Sequence, residues 1–491
     1  MASPTVVEEN SSRMKVRASQ YFLTKSFQSS ISNNNNINDL EWIYSLNPLS
    51  PELMKNQATI NLGTLGHASH GKSTLVEALS GIKPMKHEAE LWRNLTIKLG
   101  YANFKVYKCN TCPKPICYQS WQSSISQEPL CAQCSGEMTL VRHFSLVDCP
   151  GHDFLMATML NGAAVMDSAL LLVASNVPVP QPQTAEHLAA AEIMHLKNLI
   201  TVQSKLDLIT LPEAHDNYRS IQNFVRGTVA EKSPIIPVSC RPWQHCNLDV
   251  LLQYLVEKLE VPKRNLSVPA LMQVVRSFDV NSPGASALDL KGGVAGGTLR
   301  RGVLRIGQPI EIRPGLVRKN NKGELTCTPI ITTVRSLFSE KTSLQFAVPG
   351  GLIAVGTTVD PTLTKQDRLV GQLIGEVGKL PDVFLSIEIQ FQLMTRLVGM
   401  KEDDETSAKI RVKKIEKKEI LMLNVGATST TAEVAAVKGN MAKMTLSKPC
   451  CAELEEMVSI SRNFNGAWRL IGYAHIKFGD ALPLGEPHKT K

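Results

Sequence analysis

The chain has 491 residues, more than one hydrophobic core can organise, so two to four domains are expected. Its 43% hydrophobic and 20% charged content excludes a disordered or membrane-embedded chain, and no apolar run approaches the 18 residues of a membrane helix. The formal net charge of +9 admits a polyanionic partner without demanding one.

In chain order, MASPTVVEENSS lacks the apolar stretch of a secretory signal, and Asn33–Asn36 is a polar run that buries no core. Residues 1–55 are therefore expected to form a mostly disordered leader, with LEWIYSLNPLSPE packing locally. Without export, the eleven cysteines are expected to stay reduced, which places the chain in the cytoplasm. From 56 to 264 apolar strands alternate with helices. ATINLGTLG, HFSLVDCP, SALLLVAS, LITVQSKLDL and PIIPVSC read as strands, and helices are predicted to begin at Lys72, Phe154, Thr184, Glu213 and Asn247. Such strands need cover on both faces, so a parallel-rich sheet is expected. From 265 to 380, short Val- and Ile-rich runs (VVRSFDV, GVLRIGQPIEIR, GGLIAVGTTV) are split by Gly and Pro turns. After a break at Gly378–Pro381, residues 381–491 continue with FLSIEIQFQL, EILMLNV, EMVSISR and WRLIGYAHI. The expected fold is multidomain: an α/β domain with a parallel-rich sheet followed by two antiparallel β-barrels.

The first domain carries four ordered motifs. Gly66-x4-Gly71-Lys72-Ser73 follows a strand and opens a helix, the context a phosphate-binding loop requires. Ser69, His70, Gly71 and Thr74 complete the expected contacts, Lys72 reaches the β/γ oxygens, and Ser73 ligates Mg²⁺. His67 and His70 are assigned no catalytic role. Asp148-Cys149-Pro150-Gly151 ends the next strongly apolar strand; Asp148 is expected to hold Mg²⁺ through water and the Gly151 N–H to sense a γ-phosphate. Between them, Thr96 in RNLTIKLGYAN is expected to coordinate Mg²⁺. QSKLDL looks like a guanine-reading Asn-Lys-x-Asp loop with Ser204 in place of Asn; Lys205 packs on the base and Asp207 accepts its paired N–H groups. Ser239, Cys240 and Arg241 supply the final loop, whose backbone N–H meets guanine O6. Together the motifs make the α/β domain a P-loop GTPase domain, for which GTP/GDP with Mg²⁺ is the expected ligand set. Losing the Asn is expected to cost roughly 1–3 kcal/mol, in the lower half because Ser keeps one bond, and Ser204→Asn is expected to bind GDP more tightly.

Within the same domain, Cys109-x2-Cys112 and Cys131-x2-Cys134 are separated by 18 residues. Two such pairs present four thiolates to one tetrahedral ion, so a structural Zn²⁺ within the insertion 109–134 is expected, with Cys117 as a substitute ligand.

At GHASHGKST, DCPGHD and RNLTIKLGYAN the sequence resembles a translational GTPase. LMATMLNGAAVMD, PQPQTAEHLAA, DLKGGVAGGTLRRGVLRIGQPIEIRPG and the terminal WRLIGYAHI narrow the resemblance to the gamma-subunit family of eukaryotic and archaeal translation initiation factor 2, over roughly residues 48–485. The resemblance implies GTP-dependent delivery of methionylated initiator tRNA to the small ribosomal subunit. It implies a heterotrimer with alpha and beta subunits, GTPase-activating and nucleotide-exchange partners, and no membrane. It also implies that His152 orients the attacking water, with slow hydrolysis until a partner stabilises the transition state. Many eukaryotic members of the family lack part of the zinc knuckle. Two other readings stand beside it: an elongation-type aminoacyl-tRNA carrier, and a catalytically weakened paralogue acting as scaffold or regulator, to which Ser204, Cys240 and RPWQHCN point.

KIRVKKIEKK at 409–418 reads either as a phosphate contact for RNA or as the solvated edge of a barrel strand, the latter favoured. Arg300, Arg301 and Arg305 are open in the same way.

Overall fold

The computed structural model describes residues 36–84, 90, 96–125, 128–196, 198–241, 245–281, 291–319, 323, 325–398 and 411–489. Leader residues 1–35, Arg93–Leu95 of the segment before Thr96, residues 242–244 of RPWQHCN, and Lys409–Ile410 lie outside them. The chain divides into two units, 1–47 and 48–491. In the first, helix α1 (Asn36–Ser45) closes on itself, with Ser45 Oγ donating to the Trp42 carbonyl at 2.6 Å. The second holds all that follows.

After the short helix α2 (Pro51–Asn56), the first layer is a seven-stranded sheet. Its strands are β1 (Ile60–Leu65), β2 (Gly100–Cys109), β3 (Tyr118–Gln122), β4 (Met138–Asp148), β5 (Ser168–Ala174), β6 (Asn198–Ser204) and β7 (Ile235–Pro237). They run in the order β3-β2-β4-β1-β5-β6-β7. The five from β4 to β7 pair in parallel, whereas β2 and β3 join antiparallel at one edge. The sheet is thus parallel-rich and mixed; the sequence reading gave no sign of β2 and β3.

Among the described helices of this layer are α3 (Lys72–Ser80), α4 (Met156–Ala163), α5 (Pro182–Ile193), α6 (Leu211–Val225) and α7 (Leu248–Glu257). Alternation along β5 explains why both faces need cover. Leu170 and Leu172 enter one core with Leu75, Leu79, Leu251 and Leu255 from α3 and α7. Ala169, Leu171 and Val173 enter the other with Met159, Leu160, Leu188 and Ile221 from α4, α5 and α6. The predicted start at Lys72 matches α3. Those at Thr184 and Glu213 fall two residues inside α5 and α6, because Pro182 and Pro212 fit the first helical turn. At Phe154 a 3₁₀ turn, Asp153–Leu155, precedes α4.

Two closed six-stranded antiparallel barrels follow. In the first, strand 309–319 pairs with both 325–339 and 373–376, closing a ring through 271–278, 294–301 and 352–357. Its interior is aliphatic, including Met272, Val274, Ile310, Ile330 and Val355. In the second, strand 383–393 pairs with both 441–451 and 467–481 around Ile387, Leu423, Val434 and Ile460.

Both barrels touch the sheet layer. Gln57 Nε2 donates to the Val348 carbonyl at 2.6 Å and Gln57 Oε1 accepts from its N–H at 3.1 Å. Asn61 Nδ2 donates to the Gly350 carbonyl at 2.6 Å. A Cβ on Gly350 would lie 2.7 Å from Thr59 Cα, so the turn approaches β1 only as glycine. The second barrel meets α4, where Asn424 Nδ2 donates to Asn161 Oδ1 at 2.9 Å. The barrels join each other through Arg300–Glu456 at 2.8 Å and Arg301–Glu453 at 2.7 Å. These two arginines are interdomain ion pairs, and the exposed Arg305 takes no part in them.

Candidate nucleotide site and metal centre

Leu65, Asp148, Ser204 and Pro237 are the C-terminal residues of β1, β4, β6 and β7. Four separate motifs therefore open at one edge of the sheet, where open α/β sheets bind their ligands. At the phosphate loop, Ser69 and Gly71 take left-handed φ values of 62° and 87°, turning the chain into α3. Lys72 folds across the loop and donates to the Gly66 carbonyl at 2.9 Å and the His67 carbonyl at 2.7 Å. Burial pulls its ammonium down to about 8, against the opposing pull of Asp148. A Cβ on Gly151 would stand 2.3 Å from Lys72 Nζ and 2.7 Å from the Ala68 N, so only glycine lets the second motif lie on the first.

Ser73 Oγ donates to Asp148 Oδ2 at 2.6 Å and lies 3.1 Å from Thr96 Oγ1. Thr64 Oγ1 donates to the other Asp148 oxygen at 3.0 Å. Burial raises the Asp148 carboxyl, opposed by Ser73 and Lys72. An all-oxygen set of this kind suits a hard cation such as Mg²⁺. The segment behind Thr96 is held by Glu90, whose Oε1 accepts from the N–H groups of Ile97 at 3.0 Å and Lys98 at 2.9 Å.

Around the base site, the Asp207 side chain is 8% exposed, with Oδ1 accepting from Ser239 Oγ at 2.9 Å and Oδ2 in an ion pair 2.8 Å from Arg241 Nε. Lys205 is left-handed at φ 61° and its carbonyl accepts from Ser175 Oγ at 3.0 Å. Ser204 is buried and donates to the His70 carbonyl at 2.7 Å. It thereby ties the base loop to the phosphate loop. Cys240 is half-buried beside Asp207, and burial raises its thiol to about 12. His70 is buried and held neutral, its pKa lowered to about 3 by desolvation. Thr74 lies in the first turn of α3.

His152 is half-exposed. Its Nδ1 lies 2.7 Å from Asp153 Oδ1 and its ring stacks on Phe154 at 5.5 Å. Asp153 and Glu186 are both bonded by Arg469 of the second barrel, a residue that sequence reading missed. Asp367 of the first barrel, 3.1 Å from Lys98 Nζ, was missed too. No local signal marks either, because their partners are hundreds of residues away.

The metal centre lies at the far ends of β2, β3 and β4. The sulfurs of Cys109, Cys112, Cys131 and Cys134 all lie within 4.8 Å of one another, with Cys109–Cys134 at 3.5 Å and Cys112–Cys131 at 3.7 Å. A tetrahedral Zn–S shell of about 2.3 Å bonds needs sulfurs about 3.8 Å apart, so the four residues fit Zn²⁺. Thr111 Oγ1 stands 3.2 and 3.0 Å from the Cys109 and Cys134 sulfurs, and Gln119 Nε2 donates to Cys131 Sγ at 3.3 Å. Such second-layer contacts orient the ligands. Cys117 is not among them: it packs in the hydrophobic core beside Tyr118.

Residues 57–261 match the family profile described as the elongation factor Tu GTP binding domain, and residues 385–476 match that of initiation factor eIF2 gamma, C terminal. The eukaryotic translation initiation factor 2 subunit gamma of Schizosaccharomyces pombe is 53% identical over 444 residues, spanning 90% of this chain and 99% of that protein. The Drosophila melanogaster eukaryotic translation initiation factor 2 subunit 3 is 52% identical over 90% of this chain and 93% of its own length. Among solved structures, a bacterial selenocysteine-specific elongation factor superposes with a TM-score of 0.61 at 19% identity, over 86% of this chain and 58% of that one. Elongation factor SelB from Methanococcus maripaludis, in complex with the GTP analogue GppNHp, superposes with a TM-score of 0.61 at 20% identity, over 87% and 80%. At such identities these two report the fold alone.

Proposed function

Because this chain belongs to the gamma-subunit family of translation initiation factor 2, we propose that its GTP form carries methionylated initiator tRNA to the small ribosomal subunit. It does so in the cytoplasm, as the core of a heterotrimer with alpha and beta subunits. The chain is a GTP-dependent initiation factor and a GTPase, working with GTP, GDP and Mg²⁺. The carrying observation is the extent of the likeness: 53% identity along 90% of the chain, through all three layers of the fold. Likeness to the selenocysteine factors is confined to the fold, whereas the second barrel matches the initiation-factor profile, which disfavours an elongation-type carrier.

In this reading Ser69 to Thr74 cradle the phosphates, with Lys72 neutralising the β/γ oxygens. Ser73 and Thr96 ligate Mg²⁺, and Asp148 holds its water. The Gly151 N–H meets the γ-phosphate, and the neighbouring His152 orients the attacking water. Asp207 accepts the paired N–H groups of guanine, with Lys205 against the ring and Ser239, Cys240 and Arg241 closing the rim. GTPase-activating and nucleotide-exchange partners set the rates of hydrolysis and release. Zn²⁺ on the four cysteines is structural, since four thiolates leave no open position. The bond from Ser204 to the phosphate loop supports a working switch over a scaffold that has lost its nucleotide.

The test is binding of methionylated initiator tRNA by the chain assembled with its alpha and beta partners. Binding that requires GTP over GDP and prefers initiator over elongator tRNA is expected. Equal binding of the two tRNAs, or indifference to the nucleotide, would overturn the reading.

A further inference from the structure

Arg469 lies on strand 467–481 of the second barrel, 316 positions along the chain from Asp153. Its side chain is only 11% exposed, and its two arms are used separately. Nη2 donates to Asp153 Oδ2 at 3.2 Å, and Nη1 donates to Glu186 Oε2 at 2.8 Å. Glu186, on α5, is 2% exposed and holds the guanidinium in place. The other oxygen of Asp153 accepts from the Phe154 N–H at 3.0 Å and lies 2.7 Å from His152 Nδ1.

The chemistry of that last contact fixes the imidazole. An ionised carboxylate has no proton to give, and at 2.7 Å its lone pairs would repel a bare ring nitrogen, so a neutral imidazole beside it favours the tautomer with its proton on Nδ1. Nε2 is then left as the acceptor, the form an imidazole needs to take a hydrogen bond from water. Asp153 serves this purpose only while its carboxylate is kept from rotating, and the contact on Oδ2 restrains it. We propose that Arg469 is a positioning residue for GTP hydrolysis, acting through Asp153 to fix the orientation and tautomer of His152. This rests on the reading that His152 orients the attacking water. The second barrel thereby enters the hydrolytic step: if it moves away from α4 and α5, the imidazole loses its support.

An ion pair that merely glued the barrel to the sheet layer would act on stability and leave the chemistry alone. The two roles separate in single-turnover GTP hydrolysis by the heterotrimer on small ribosomal subunits with activating partner present. Arg469→Ala and Asp153→Asn are each expected to slow hydrolysis about 10- to 100-fold, with GTP and GDP affinities within about twofold of the parent. Asn at 153 can turn its amide towards His152 and stabilise the wrong tautomer while still accepting from Arg469, so it keeps the test alive should Arg469→Ala fail to fold. The double variant His152→Ala/Arg469→Ala is expected to be no slower than His152→Ala alone, because the arginine acts only through the imidazole. Wild-type hydrolysis by Arg469→Ala, or losses that multiply in the double variant, would overturn the positioning role while leaving His152 as the water-orienting group. Wild-type hydrolysis by His152→Ala would instead remove the reading on which the role depends.

Discussion

Ser204 shows why a residue type and its task must be considered separately. An Asn at this position would bond both the base and the neighbouring loop; the shorter Ser204 reaches the loop alone, at the His70 carbonyl. That bond is buried, so its removal leaves a carbonyl without its donor. Ser204→Ala is expected to weaken GDP binding by about 1–2 kcal/mol, roughly 5- to 30-fold, in equilibrium titration. Ser204→Asn gains only the base contact and is expected to tighten GDP by less than this; a loss on Asn substitution would show that the buried position rejects the larger side chain. Lys72 gives a pH signature. Its folded value of about 8 lies below the ordinary 10.5, so the folded chain sheds a proton between those values and is stabilised as pH rises through that window. A triphosphate against the ammonium restores its charge, so binding takes up a proton above about pH 8. GTP affinity should be highest below that pH and fall by up to roughly tenfold per unit above it. Calorimetry in buffers of different ionisation enthalpy should find uptake near pH 9 that is absent near pH 7; no uptake at either pH would contradict the assignment.

Among the elements, those with a continuous apolar signature were legible in the sequence. β1 and β5 are buried at every position, and the phosphate-loop motif stands directly at the end of β1. β2 was not legible, because Asn103 and Lys105 are polar residues buried at 2% and 6%, and they break the hydropathy of a strand that is largely interior. The four cysteines were legible because each pair is local, and the strands that carry them became clear only from the structure. β2 begins at Gly100, beside Asp148 in the ladder, and ends at Cys109. At about 3.3 Å per residue the knuckle stands roughly 30 Å from the phosphate edge. Purified protein should therefore contain close to one equivalent of zinc, and Cys112→Ser should lose the metal and lower the thermal midpoint. GDP affinity should stay within about twofold; a large loss of affinity would place the metal's influence at the nucleotide instead.

Across the whole molecule, the contacts that couple the layers were out of reach of sequence reading, since each joins segments hundreds of residues apart. Asp367 is the clearest case. Gln366 and Asp367 both take left-handed φ values, 58° and 61°, a backbone cost borne by two non-glycine residues. The turn presents one carboxylate to Lys98 at 3.1 Å, to Arg276 Nε at 3.2 Å and to the Ser277 N–H at 3.0 Å. The first barrel is thus fastened two residues beyond Thr96. Asp367→Ala is expected to leave GTP affinity near that of the parent and to weaken initiator tRNA binding in the GTP form by about three- to tenfold, in keeping with a half-exposed ion pair. Lys98→Ala should do less, because Arg276 keeps its partner; equal tRNA affinity in both variants and the parent would show that the fastening does not matter for the cargo.

The paired bonds of Gln57 to Val348 and of Asn61 to Gly350 have a different character from that fastening. They are neutral, buried and made largely to backbone, so dissolved ions barely reach them. Together they form a hinge pin at one end of β1, while Lys98 and Asp367 form a hasp near the other. At about 1 M salt the screening length shrinks to about 3 Å, which loosens an exposed charge pair and leaves neutral bonds intact. Ionic strength should therefore loosen the hasp, together with the ion pairs Arg300–Glu456 and Arg301–Glu453 between the barrels, and leave the pin in place.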